Sequence, residues 1–137
     1  MTKFILLAAT AALMAGPALA GDPAAGEAEF RKCKACHSVI APDGTEFQKG
    51  GRTGPNLYGI IGRAVAADPD HSSYGESLVA LGATGAVWDE ASFAAYVADP
   101  AAYLKSALGD DGAKSKMSFK LASGAEDIAA YLVSVSQ

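Results

Sequence analysis

Cys33-Lys34-Ala35-Cys36-His37 constrains this chain more than any other stretch of it. The spacing i, i+3, i+4 puts both thiols and the imidazole on one face of a helical turn. Cys-x-x-Cys-His is the attachment signature of c-type haem. The thiols add to the two vinyl groups along one haem edge, and the histidine offers an imidazole nitrogen as proximal iron ligand. Three other chemistries use cysteines at this spacing. A disulfide between Cys33 and Cys36 is open to an exported chain. A thioredoxin-like redox pair needs a neighbouring βαβ pattern, which the sequence lacks. A zinc site needs a further Cys or His, and only His71 remains after Cys33, Cys36 and His37.

The N-terminus reads as an export signal. Lys3 supplies the positive start, Phe4 to Leu13 the apolar run and Ala18-Leu19-Ala20 the cleavage site. The run is too short to span a bilayer, although it could serve as an uncleaved anchor. Cleavage after Ala20 leaves a domain from Gly21 to Gln137 with no further segment long enough for membrane insertion. Loss of Lys3 leaves ten basic residues against fifteen acidic ones, a formal net charge of −5. That balance argues against nucleic acid as a partner.

Short helices are expected along the domain. Asp22 caps the first and Pro23 opens it, with the helix running from Ala24 to about Ala35. From Ser38 to Ser73 the turn residues Pro42-Asp43-Gly44, Gly50-Gly51 and Gly54-Pro55-Asn56 break any periodicity. So long an irregular stretch fits a chain that wraps a bound group instead of packing on itself. A second helix is expected over Tyr74–Leu81, closed by Gly82. A third, Glu90–Ala98, is capped by Asp89. A fourth starts at Asp99-Pro100 and ends near Leu108-Gly109. The last runs from Asp127 to Val135 behind a Ser123/Glu126 capping box. No strand is expected. The fold class is all-α, short helices and long loops around one haem.

A second axial ligand decides what such a haem can do. Past the cleavage site the candidates are Met117, in the polar loop Lys116-Met117-Ser118-Phe119-Lys120, and His71, in Asp68-Pro69-Asp70-His71. A lone methionine is often core filler. Met117 instead sits among polar neighbours far along the chain from His37, as a ligand to the opposite haem face would. The residues alone leave both candidates standing.

The motifs together carry a resemblance. Cys33-x-x-Cys36-His37, Thr53-Gly54-Pro55-Asn56-Leu57, Gly62-Arg63, Trp88, Tyr96 and the loop around Met117 resemble the class I cytochromes c, in particular the bacterial cytochromes c2. The likeness covers nearly all of 21–137. It implies Met117 as sixth ligand, and His71 as a surface residue. It further implies the Pro55 carbonyl as acceptor for the second nitrogen of His37, Tyr96 as a hydrogen-bond partner near the Met sulfur, and Arg63, Tyr74 and Trp88 as partners of the haem propionates. Read without it, Trp88 and Tyr96 are ordinary core and Arg63 a solvated charge. Gly26 and Phe30 match positions where the first helix crosses the last at Ile128 and Tyr131. Ala41–Gly51 and Gly109–Ser115 depart from the short mitochondrial pattern as added loop residues.

The resemblance implies a periplasmic, monomeric electron carrier and no enzymatic activity, since two protein ligands leave the iron no open position. Electrons would come from a cytochrome bc complex and go to a photosynthetic reaction centre, a terminal oxidase or both. Lys32, Lys34, Lys105, Lys114, Lys116 and Lys120 flank the two ligand-bearing segments, so an acidic protein would show partners a basic face. Asp22, Glu27, Glu29, Asp68, Asp70 and Glu76 are expected elsewhere on the surface. The competing reading is a haem enzyme or gas-binding protein with a labile sixth ligand.

Overall fold

The computed structural model describes residues 21–137. The expected signal peptide, 1–20, lies outside them. Asp22 caps α1 (Pro23–Glu29) through its carboxylate, which accepts from the Ala24 N–H at 2.9 Å. The helix ends well short of Ala35. A 3-10 turn, Phe30–Lys32, takes over, and the His37 N–H closes a single turn on the Cys33 carbonyl at 2.9 Å. Carbonyls that a longer helix would use along its axis are taken from the side: Gly51 N–H donates to Lys34 at 2.9 Å and Gly54 N–H to Cys36 at 2.8 Å.

The expectation of no strand is corrected by a small antiparallel ribbon, β1 (Val39–Ile40) with β2 (Glu46–Gln48). The turn Pro42-Asp43-Gly44-Thr45 and β2 belong to the added loop residues, and β1 directly precedes them. Gln48 is buried on it and donates to the Tyr131 hydroxyl at 3.1 Å, tying the ribbon to the last helix.

Four helices follow: α2 (Glu76–Ala83), α3 (Glu90–Ala98), α4 (Pro100–Leu108) and α5 (Ala125–Val135). α3 and α4 lie where the sequence put them, each started by an aspartate. Asp89 exchanges bonds with Ser92 in a capping box, and Asp99 accepts from the Ala102 N–H at 3.0 Å. α2 starts two residues later than expected, and Gly82 lies inside it. A Cβ there would sit 2.4 Å from the Val65 carbonyl oxygen, so Gly82 serves packing and does not stop the helix. The Ser123/Glu126 capping box is absent. Gly124, at φ 86, is the N-cap of α5, which leaves Ser123 one residue outside and Glu126 one position too early.

α1 crosses α5 at Gly26. A Cβ at that position would lie 1.9 Å from the Asp127 carbonyl oxygen and 2.8 Å from Tyr131 Cβ, so only glycine lets the backbones meet. Phe30, fully buried, fills the adjoining space against Tyr131 with ring centroids 6.0 Å apart. Val39, Leu57, Trp88, Leu104, Ile128 and Leu132 continue this core. Among the described residues no helix is long and apolar enough to cross a membrane.

Candidate functional site

His37 is held on one side only. Its Nδ1–H donates to the Pro55 carbonyl oxygen at 2.8 Å. A carbonyl can only accept, so the proton is on Nδ1 and the lone pair on Nε2. Gly54 is pressed against the ring: a Cβ on it would lie 2.3 Å from Cε1 and 2.9 Å from Nε2. Burial lowers the imidazole's pKa against the opposing effect of the Pro55 bond, which favours the neutral, ligating form. Cys33 is half-buried and Cys36 exposed, and both thiols are free, so the disulfide alternative is not adopted. Burial pushes the Cys33 thiol up to about 11.

A second group of residues surrounds Asn56, whose polar groups are all used. Its side chain bonds the Ile40 backbone as a strand would, accepting from N–H at 3.0 Å and donating to the carbonyl at 2.7 Å. Its own N–H donates to Asp68 Oδ2 at 3.1 Å, and its carbonyl accepts from Arg63 at 2.9 Å. Arg63 also donates to the Tyr58 carbonyl and lies 3.9 Å from Asp68. The solvated-charge alternative for Arg63 is thereby overturned. Asp68, expected on the surface, is only 9% exposed. It accepts from Asn56 and from the Asp70 N–H at 3.0 Å, while its own N–H donates to the Tyr74 hydroxyl at 3.2 Å. His71 packs edge-on against Tyr74, centroids 4.7 Å apart.

A third group is aromatic. The Trp88 ring lies 5.0 Å from Tyr96 and 6.0 Å from Tyr103, with 5.8 Å between the two tyrosines. Trp88 is placed by backbone bonds in both directions, its N–H to Arg63 at 2.9 Å and its carbonyl from Gly62 at 2.7 Å. The Tyr96 hydroxyl reaches Ser115 Oγ at 3.5 Å, a long contact, and burial raises its pKa. The same Ser115 oxygen accepts from the Met117 N–H at 3.1 Å. The loop carrying Met117 is pinned to the edge of α2 as well, by Lys114 N–H on Ser77 Oγ at 2.9 Å and Lys116 Nζ on the Ser73 carbonyl at 3.0 Å. Met117 itself is half-buried.

The comparisons decide what family this geometry belongs to. No protein-family model matches the chain. Cytochrome c2 of Rhodobacter capsulatus is 58% identical over 97% of this chain and 98% of its own length. Cytochrome c-551 of Roseobacter denitrificans is 52% identical over 99% and 97%. The solved structure of the Rhodobacter capsulatus cytochrome c2 superposes with a TM-score of 0.83, covering 85% of this chain and all of that one. Ferric cytochrome c-550 of Paracoccus versutus superposes at 0.81 with 47% identity, covering 85% of this chain and 99% of that one.

The chain belongs to the class I cytochromes c, in the cytochrome c2 group. As such it has the all-α cytochrome fold, carries one covalently bound haem c and is an electron carrier.

The residues present fit that cofactor. Two free thiols stand one turn apart ahead of an imidazole whose Nε2 is left unprotonated. Among the described residues no cluster of three or more His, Cys, Asp or Glu suits a metal ion held by side chains alone, which disfavours the zinc alternative. Cys33, Cys36, His37 and Pro55 lie in the first of the three groups, Arg63 and Tyr74 in the second, and Trp88, Tyr96 and Met117 in the third. Four were missed. Asn56 and Gly54 lay inside a quoted motif with no job assigned, Ser115 lay in the Met117 loop, and Asp68 was misplaced.

Proposed function

We propose that this cytochrome is cleaved after Ala20, is soluble and monomeric in the periplasm, and shuttles single electrons with iron ligated by His37 and Met117. Its donor is a membrane cytochrome bc complex, its acceptor a photosynthetic reaction centre, a terminal oxidase or both. The observation that carries this reading is the His37 ring, bonded at Nδ1 by Pro55 and packed by Gly54, with Nε2 free to coordinate. Bound haem supplies a reversible one-electron iron couple, raised in potential by methionine ligation relative to two histidines.

The chain's own residues hold and insulate that couple. Cys33 and Cys36 would hold the cofactor by thioether bonds and so keep it from dissociating. Pro55 fixes the tautomer and orientation of His37, as outer partners of metal-bound histidines do. Ser115 anchors the Met117 backbone and links it to Tyr96, the residue assigned near the Met sulfur. Arg63 keeps a positive charge in place for the propionates, held by the Asn56 and Tyr58 carbonyls, and Tyr74 and Trp88 are assigned as further propionate partners. With His37 and Met117 both holding the iron, it would have no position left for a substrate, so the role is carrier, not catalyst. Docking is assigned to the face bearing Lys32, Lys34, Lys105, Lys114, Lys116 and Lys120.

The test is electron transfer between purified membrane complexes. The reduced protein is mixed with a reaction centre and, separately, with a terminal oxidase, and the oxidised protein with a bc complex. Saturable, salt-sensitive transfer from the bc complex to at least one acceptor is expected. Failure with the bc complex, or with both acceptors, refutes the shuttle.

A further inference from the structure

The lysines of the proposed docking face are not equivalent. Lys32 Nζ is bonded to Glu29, three residues earlier on α1. Lys120 Nζ is bonded to Asp99 Oδ2 at 2.7 Å. Lys116 is tethered to the Ser73 carbonyl, which positions its charge without cancelling it. Lys34, Lys105 and Lys114 are exposed and have no acidic partner among the described residues.

Both acids are set among the lysines of the proposed face by the fold, which corrects the expectation that Glu29 lies elsewhere on the surface. Glu29 stands at the end of α1, directly before the turn that carries Cys33, and its carboxylate lies 3.5 Å from where a Cβ on Gly124 would be. Gly124 follows Lys120 by four residues, so the Lys32 pair adjoins the segment that leaves the Met117 loop. The Leu121 N–H donates to the Val97 carbonyl at 2.8 Å, which lays the Lys120 segment along the end of α3 and within reach of Asp99. The lysine partner is the foremost cause holding each carboxyl below its ordinary value.

We propose that Glu29 and Asp99 are built-in competitors for the docking lysines, each occupying one lysine that an acidic partner surface must win back. This rests on the basic-face reading above and adds to it which charges are free to act. Exposed ion pairs are weak and exchange readily, so a partner carboxylate can displace either acid. It then gains little, since one carboxylate replaces another. Lys34 and Lys114 give their full charge to the encounter, whereas Lys32 and Lys120 contribute late and weakly. For a carrier that must leave after each electron, such damping shortens the complex without removing the steering charges.

The experiment measures second-order electron transfer from a purified cytochrome bc complex to the oxidised holoprotein over a range of ionic strength. Variants are Glu29→Gln, Asp99→Asn, Lys32→Met, Lys34→Met and the double variant Glu29→Gln/Lys32→Met. Asparagine still caps α4, and melting curves and visible spectra verify each fold. Releasing one charge about 10 Å from a partner charge in water is expected to raise the low-salt rate roughly twofold. Each acid variant is expected to show that gain and a steeper salt dependence. The Glu29→Gln gain is expected to vanish in the Lys32→Met background, and Lys34→Met to slow wild type more than Lys32→Met does. Wild-type rates that are flat with salt refute the basic face itself. Salt-sensitive wild-type rates with no gain in either acid variant, or a Glu29→Gln gain that survives Lys32→Met, overturn the competitor role alone.

Discussion

The two nitrogens of His37 have different employments, and the surrounding residues enforce the difference. Nδ1–H is bonded by Pro55, and the ring face is packed by Gly54 so closely that no side chain fits. Gly54→Ala therefore has to push the imidazole or its own loop aside. Overpacking of this kind costs about 1–3 kcal/mol, and in the holoprotein a lower Tm is expected together with weakened ligand-field features in the visible spectrum. Asn56→Ala removes a side chain that bonds the Ile40 N–H and carbonyl and the Tyr58 N–H. Leaving partly buried backbone groups unpaired costs about 1–3 kcal/mol each, so denaturant unfolding is expected to show a loss of roughly 2 kcal/mol or more. At this scale the covalently bound haem was legible because its signature is local: five consecutive residues, Cys33 to His37, state it. Gly54, Asn56 and Ser115 were not, because their partners lie far from them or depend on how a loop is seated. Asp68 misled for the same reason. An aspartate beside proline reads as exposed turn until Asn56, Asp70 and Tyr74 close around it.

Helices obeyed the sequence where their ends are chemical and departed from it where they are tertiary. α3 and α4 begin at Asp89 and Asp99, which cap by local bonds, and both lay where expected. Gly82 looked like a stop but packs against the Val65 carbonyl, and the cap expected at Ser123 falls instead on Gly124, in the left-handed region. The β1/β2 ribbon was invisible because strands of two and three residues carry no period. The crossing of α1 on α5 was anticipated at Gly26, and it gives the sharpest test at this scale. Gly26→Leu drives a side chain into the Asp127 carbonyl and is expected to cost about 3 kcal/mol or more, well beyond any surface substitution, by chemical denaturation. A variant that melts like wild type contradicts the crossing. The caps also set an acid dependence. The Asp89 carboxyl is held below its ordinary 3.8 by bonds from Ser92, so its contribution is present above that value and is lost as pH falls through the lower folded pKa. Asp89→Asn keeps the cap without the titration, and its Tm is expected to decline less than that of wild type below about pH 4.

Across the whole molecule, an acidic protein places lysines beside the segments that carry His37 and Met117. Their positions in the chain were legible from the start. The pairing of Lys120 was not, because it meets Asp99 across 21 residues of chain. The family, the fold and the haem follow from the sequence and the comparisons together, and the proposal built on them is that His37 and Met117 would both ligate the iron. The absorption spectrum of the purified oxidised protein, read with carbon monoxide binding to the reduced form, tests that claim most directly. A charge-transfer band at the red edge, with no carbon monoxide binding, is the expected result, and Met117→Ala should lose the band and bind the gas. Wild-type protein that lacks the band and binds carbon monoxide rapidly contradicts it.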